Sequence, residues 1–188
     1  MMPHITFNTD FPGITGPLEY RLDTGEPIRD LTQRLMRGPS DLTVGEREFV
    51  SSVVSHRNDC QFCSTAHTTV TRRYDDVQPF IDHVLKDASL HVTRPPARLE
   101  ALRDLGTAVT TFDREAIERS VQALKELDMS DEGIHDAVLV SALFCMYNRY
   151  VDGLATVMPP SMEYFETLAD RLTTNGYVRP KGTTDGTR

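Results

Sequence analysis

The sequence predicts an all-α helical bundle preceded by an irregular N-terminal arm. Apolar residues recur at helical spacing over most of residues 41–178. No window sustains the period-two alternation of a half-buried strand bounded by hairpin turns. Ser, Thr or Asp stands before several of the periodic runs, where a side-chain oxygen can satisfy the first unpaired backbone amides of a helix.

The elements follow in chain order. Residues 1–40 carry Pro3, Pro12, Gly13, Gly16, Pro17, Gly25, Pro27, Gly38 and Pro39, with one short helical pattern around Ile28 to Met36. Such a segment needs a surface to lie on, either its own domain or a neighbouring subunit. Thr43-Val44-Gly45-Glu46 has capping-box spacing and gives Glu46 a structural task. Phe49, Val50, Val53 and Val54 supply the apolar stripe of the helix that follows, and Arg57-Asn58-Asp59 supplies turn chemistry. A second helix is expected from Cys60 to Tyr74 and a short third from Gln78 to Asp87. Pro95-Pro96 opens a fourth, Asp113 caps a fifth and Ser130 caps a sixth, whose run Ala137 to Tyr147 is expected to be the central buried helix. The tail, residues 179–188, is polar and expected to be disordered.

At 188 residues the chain is long enough for one sizeable core, and 39% hydrophobic with 26% charged residues is an ordinary globular composition. A formal charge of −8 argues against nucleic acid, whose binders need a basic surface to displace counterions. No apolar run reaches the roughly 18 residues that span a bilayer. The start, Met1-Met2-Pro3-His4, lacks the features of a signal peptide, so a cytoplasmic location and reduced thiols are expected. Three Cys build no disulfide framework, which turns attention to the close pair Cys60 and Cys63.

Cys60, Cys63 and His67 fall at i, i+3 and i+7, so they project from one side of the second helix. Cys60 lies in the first turn, where unpaired amides and the helix dipole favour a thiolate. Cys63 is the closer to His67, at i and i+4, so either sulfur qualifies as the attacking one. If the chain reverses near Asn58, Glu48 lies ten residues before the turn and His67 nine after it. With a rise of about 1.5 Å per residue, the two then stand at similar heights on antiparallel helices. Glu48 shares its face with Ser51, Ser52 and Ser55, a face that is either solvated or closed over by another helix or the arm.

Several segments together resemble a known family: Leu35-Met36-Arg37-Gly38-Pro39-Ser40, Glu48, Val54 through Cys63, His67, and Asn148-Arg149-Tyr150-Val151-Asp152-Gly153-Leu154. They are similar to the peroxidase-related, AhpD-like branch of the carboxymuconolactone decarboxylase superfamily, with Glu-x11-Cys-x2-Cys-x3-His present in full. The resemblance implies an AhpD-like helical fold, a homo-oligomer (trimer or hexamer), and a Cys60–Cys63 pair that cycles between dithiol and disulfide. It further implies reduction of hydroperoxides or disulfide exchange, with Glu48 as base, His67 as relay and no cofactor beyond a reducing dithiol or thiol protein. Phe62 stands where the best-studied members have His, and an aromatic residue there is usual in the peroxidase-related branch. His56, Asn148, Arg149 and Asp152 are candidates for a shell around the site; Arg149 and Asp152 also have the spacing of an ordinary helix ion pair.

Two other functions compete. One is a decarboxylase-type acid/base enzyme of the same superfamily, against which the dithiol argues; the other is a non-enzymatic redox sensor. Zinc would need a fourth ligand from His56, Asp59 or Glu48, and no metal is expected. Cys145, between Phe144 and Met146, reads as a small buried hydrophobe.

Overall fold

The computed structural model describes residues 2–85 and 95–179. Every regular element among them is a helix: α1 (Thr15–Tyr20), α2 (Leu22–Arg37), α3 (Val44–Arg57), α4 (Gln61–Thr71), α5 (Gln78–Leu85), α6 (Ala97–Thr111), α7 (Arg114–Glu126), α8 (Asp131–Gly153) and α9 (Met162–Asn175). Among the described residues, no helix is long and apolar enough to cross a membrane.

The expected caps are present. Thr43 Oγ1 accepts from the Glu46 amide while Glu46 Oε2 accepts from the Thr43 amide, at 3.0 and 2.9 Å, and Glu46 also holds Arg98 of α6. Asp113 and Ser130 accept from the Ala116 and Gly133 amides. Such caps contribute about 1 kcal/mol each.

α3, rather than the middle of α8, is the central helix. Every residue from Gly45 to Ser55 is buried, because α2, α4, α6 and α8 all pack on α3. Along the Ala137–Tyr147 run, Ala142 and Met146 are exposed, so α8 buries one face only. A purely apolar run cannot announce this, since α3 is closed over on its polar side by hydroxyls small enough for close approach. Ser52 Oγ meets Thr71 Oγ1 of α4 at 2.9 Å, and Ser55 Oγ accepts from Asn148 of α8 at 3.1 Å. On the other side Phe49, Val50 and Val54 are fully buried with Leu102, Leu105 and Phe144, each worth about 1.5–3 kcal/mol of transfer free energy.

The N-terminal segment is more helical than its composition suggests, with α1 and α2 in place of one short helix. Pro17 sits in the first turn of α1, where its missing amide costs nothing. Pro27 lies inside α2, which survives because Arg29, Thr32, Leu35 and Met36 are buried along it, so tertiary burial outweighs the local penalty. The irregular part before α1 lies on its own chain: the His4 and Gly13 amides donate to the Leu154 and Val157 carbonyls, both at 3.0 Å. At the other end, residues 180–188 of the expected tail and the last residues of the expected third helix fall outside the described residues. Arg179 is described and pairs with Glu19 at 2.9 Å.

Gly13 fixes the arm over the dithiol segment. It has φ +58, and a Cβ there would come within 2.0 Å of the Phe62 ring. Gly13→Ala therefore combines a strained backbone with displacement of Phe62, and is expected to destabilise the protein by about 1–3 kcal/mol. A thermal melt indistinguishable from wild type would contradict this packing.

Candidate active site

The reversal at Asn58–Cys60 brings Glu48 and His67 together. Asp59 takes the left-handed conformation at φ +56, which Asp tolerates better than most residues, and α4 begins immediately after Cys60. Glu48 and His67 then face each other across the α3–α4 pair, with His67 Nδ1 2.9 Å from Glu48 Oε2. Glu48 is fully buried rather than solvated.

Its other oxygen has two further partners that the sequence reading does not single out. Arg37 Nη2 donates to Glu48 Oε1 at 2.7 Å, and the Tyr177 hydroxyl donates to the same atom at 2.8 Å. Arg37 comes from the end of α2 and also lies over the Tyr177 ring, 4.9 Å from its centroid. Tyr177 reaches Glu48 because Gly176, at φ +70, ends α9 and turns the chain inward, while Gln33 Oε1 accepts from the Tyr177 amide at 2.6 Å. The Tyr177 ring stacks 8° from parallel on His67, and Phe144 meets the same imidazole edge-on, 4.4 Å between centroids. Arg37 lies within the segment that carries the family resemblance, and Asn175-Gly176 is a legible turn signal before an aromatic residue.

Burial alone would raise the Glu48 carboxyl, but the His67 bond and charge, the Arg37 guanidinium and the Tyr177 hydroxyl outweigh it and hold the carboxyl below its usual range. Tyr177 is pushed well up by burial and by the neighbouring Glu48 charge, which keeps it a hydrogen-bond donor. A carboxyl depressed in the folded state stabilises the protein above its unfolded pKa, about 4.3, and that stabilisation is lost as pH falls through the folded value. The melting temperature is thus expected to fall on acidification below about pH 4, and Glu48→Gln to flatten that limb. Equal acid limbs in the two proteins would contradict the assignment.

The sulfurs differ in setting. Cys63 lines a cavity of about 70 Å³ together with His67, Phe62, Ala66, Phe144 and Tyr177. Cys60 is fully buried and is not among the cavity-lining residues. The neighbouring Cys63 thiol, then burial and the charge of nearby Asp152, push the Cys60 thiol up. Apolar enclosure and a second sulfur thus act against the thiolate that the start of a helix favours at Cys60. All three Cys are free thiols.

Of the surrounding candidates, Asn148 alone is built into the site's frame. It is fully buried, accepts from Asn58 Nδ2 at 2.8 Å and donates to Ser55 Oγ at 3.1 Å, tying α8 to the turn that precedes Cys60. His56, Arg149 and Asp152 are exposed. Among the described residues no ion pair joins Arg149 to Asp152, and the Asp152 charge bears on Cys60. Cys145 is half-buried and makes polar contacts, accepting from Asn58 at 3.6 Å and donating to Thr110 at 3.7 Å. Asn148→Ala would strand the Asn58 amide and Ser55 hydroxyl, with an expected loss of about 1–3 kcal/mol in denaturant unfolding. An unchanged midpoint would show that the turn does not depend on Asn148.

No protein-family model matches the sequence, and no curated protein is a match. Solved structures do share the fold. An uncharacterized peroxidase-related protein from Silicibacter sp. TM1040 superposes with a TM-score of 0.68 at 24% identity, over 82% of this chain and 78% of that one. A second, from Ralstonia eutropha JMP134, described as an alkylhydroperoxidase AhpD core and an uncharacterized peroxidase-related protein, gives 0.70 at 27% identity, over 84% and 80%. The fold is AhpD-like, in agreement with the resemblance carried by the motifs.

Proposed function

We propose that this protein is a thiol-dependent oxidoreductase that reduces hydroperoxides through Cys63 and Cys60. The observation that carries the reading is the Glu48–His67 contact in the wall of the cavity that Cys63 lines. With Glu48 accepting from Nδ1–H, the tautomer leaves Nε2 of His67 free to take a proton.

In this reading His67 Nε2 accepts the Cys63 thiol proton and Glu48 stabilises the imidazolium that forms. The thiolate attacks the terminal oxygen of a hydroperoxide and the O–O bond breaks. The departing alkoxide takes the proton from His67 and leaves as the alcohol, with a sulfenic acid on Cys63. The Cys60 sulfur then attacks that sulfenic sulfur; its proton and the hydroxyl leave as water, and a Cys60–Cys63 disulfide forms. Because the two cysteines stand three residues apart at the start of α4, this step is intramolecular. An external dithiol restores the pair through a mixed disulfide, itself becoming oxidised. Arg37 and Tyr177 are positioning residues that hold Glu48.

The test is turnover of tert-butyl hydroperoxide with dithiothreitol, with mass spectrometry of the protein after peroxide alone. Catalytic alcohol production and loss of two hydrogens from the Cys60–Cys63 peptide are expected. A reversible disulfide without turnover would leave a redox sensor, and no disulfide would remove the thiol mechanism.

A further inference from the structure

Two arginines line the same cavity as Cys63: Arg29 from α2 and Arg171 from α9. Arg29 is 6% exposed; its Nη2 donates to Glu19 Oε1 at 2.6 Å, while its Nη1 is enclosed with no hydrogen-bond partner. Glu19 is shared, since its Oε2 also accepts from Arg179 at 2.9 Å. Arg171 is half-buried, and among the described residues no carboxylate pairs with it. Burial, together with the Arg29 charge, lowers its pKa. The buried carboxylate of Glu19 is thus divided between two guanidinium groups, and the exposed Glu26 lies 4.0 Å from Arg179. An enclosed guanidinium with an unused N–H, beside a second one lacking a counterion, is an anion site short of its anion. The remaining lining is mostly apolar, Ile14, Leu18, Leu168, Leu172 and Val178, with hydroxyl groups at Thr15 and Tyr147.

We infer that Arg29 and Arg171 bind a carboxylate, and that the oxidant reduced at Cys63 is an organic hydroperoxide with a short apolar body and a carboxylate group. The second half rests on the peroxidase reading above. The small cavity suits a body of only a few carbons, with the carboxylate anchored at the arginines and the peroxide directed to the sulfur.

The experiment compares 3-hydroperoxy-3-methylbutanoate with its methyl ester, in which one added methyl removes the charge at the anchoring end. Wild type is expected to turn over the carboxylate with kcat/KM at least about tenfold above the ester, the effect of one charge-assisted hydrogen bond. Arg171→Gln is expected to remove most of that ratio. Equal values in wild type, or a ratio unchanged in Arg171→Gln, would overturn the inference. If neither compound is reduced, the peroxidase reading fails on its own. Calorimetry with the alcohol product, 3-hydroxy-3-methylbutanoate, still decides the carboxylate site: binding weakened about tenfold in Arg171→Gln supports it, and absent binding refutes it. Arg29→Met is expected to weaken that binding as well; should it fail to fold, Arg171→Gln, on the more exposed side chain, suffices.

Discussion

Glu48→Gln is expected to lower kcat/KM for hydroperoxide by about 10²–10⁴, the range set by losing a positioned acid/base pair. The reasoning is one of donors and acceptors. Arg37 and Tyr177 both donate to Oε1, so in the variant the amide oxygen is held there and the amide nitrogen faces His67. That nitrogen is a donor, so Nδ1 must become the acceptor and the proton moves to Nε2. The imidazole then has no lone pair left for the Cys63 proton. The same change leaves the largely buried Arg37 without its carboxylate, at about 3–5 kcal/mol of stability. Rates should therefore be taken well below the melting transition. Tyr177→Phe serves as the comparison, since it removes one donor to Oε1, keeps the His67 contact and should cost about 1 kcal/mol with a small effect on rate. Wild-type turnover in a folded Glu48→Gln would sink the relay.

Cys63→Ser is expected to abolish peroxide turnover to the uncatalysed background, whereas Cys60→Ser should still consume one equivalent of peroxide. The asymmetry follows from burial, because Cys63 lines the cavity while Cys60 is enclosed behind it with its thiol pushed up. In Cys60→Ser the sulfenic acid on Cys63 has no neighbouring thiol to condense with, and a dimedone adduct at Cys63 should be detected by mass spectrometry. Turnover with dithiothreitol should drop sharply, since resolution becomes bimolecular. The reverse pattern, with the adduct found on Cys60 in Cys63→Ser, would restore the helix-start argument and assign the attack to the other sulfur.

Much of the site was readable from residue spacing because it lies within one helix hairpin. Glu48, Asn58 and His67 are separated by ten and nine residues, and regular helical rise converts those counts into matching heights. The caps at Thr43, Asp113 and Ser130 were equally readable, since each concerns only the first turn of its own helix. The helicity of residues 15–37 was not, because Pro17, Gly25 and Pro27 act locally as breakers while the burial that overrides them comes from elsewhere in the chain.

The sequence alone therefore determined the all-α class, the hairpin, and the matching heights of Glu48 and His67 along it. These rest on interactions within about twenty residues. Only the tertiary structure decided that Glu48 is dry, that Arg37 and Tyr177 hold it from 11 and 129 residues away, and that Cys63 rather than Cys60 lines the cavity. The physical reason is that burial and charge compensation depend on which distant segments pack on a face. Spacing within a helix states which side chains share that face, but not what covers it.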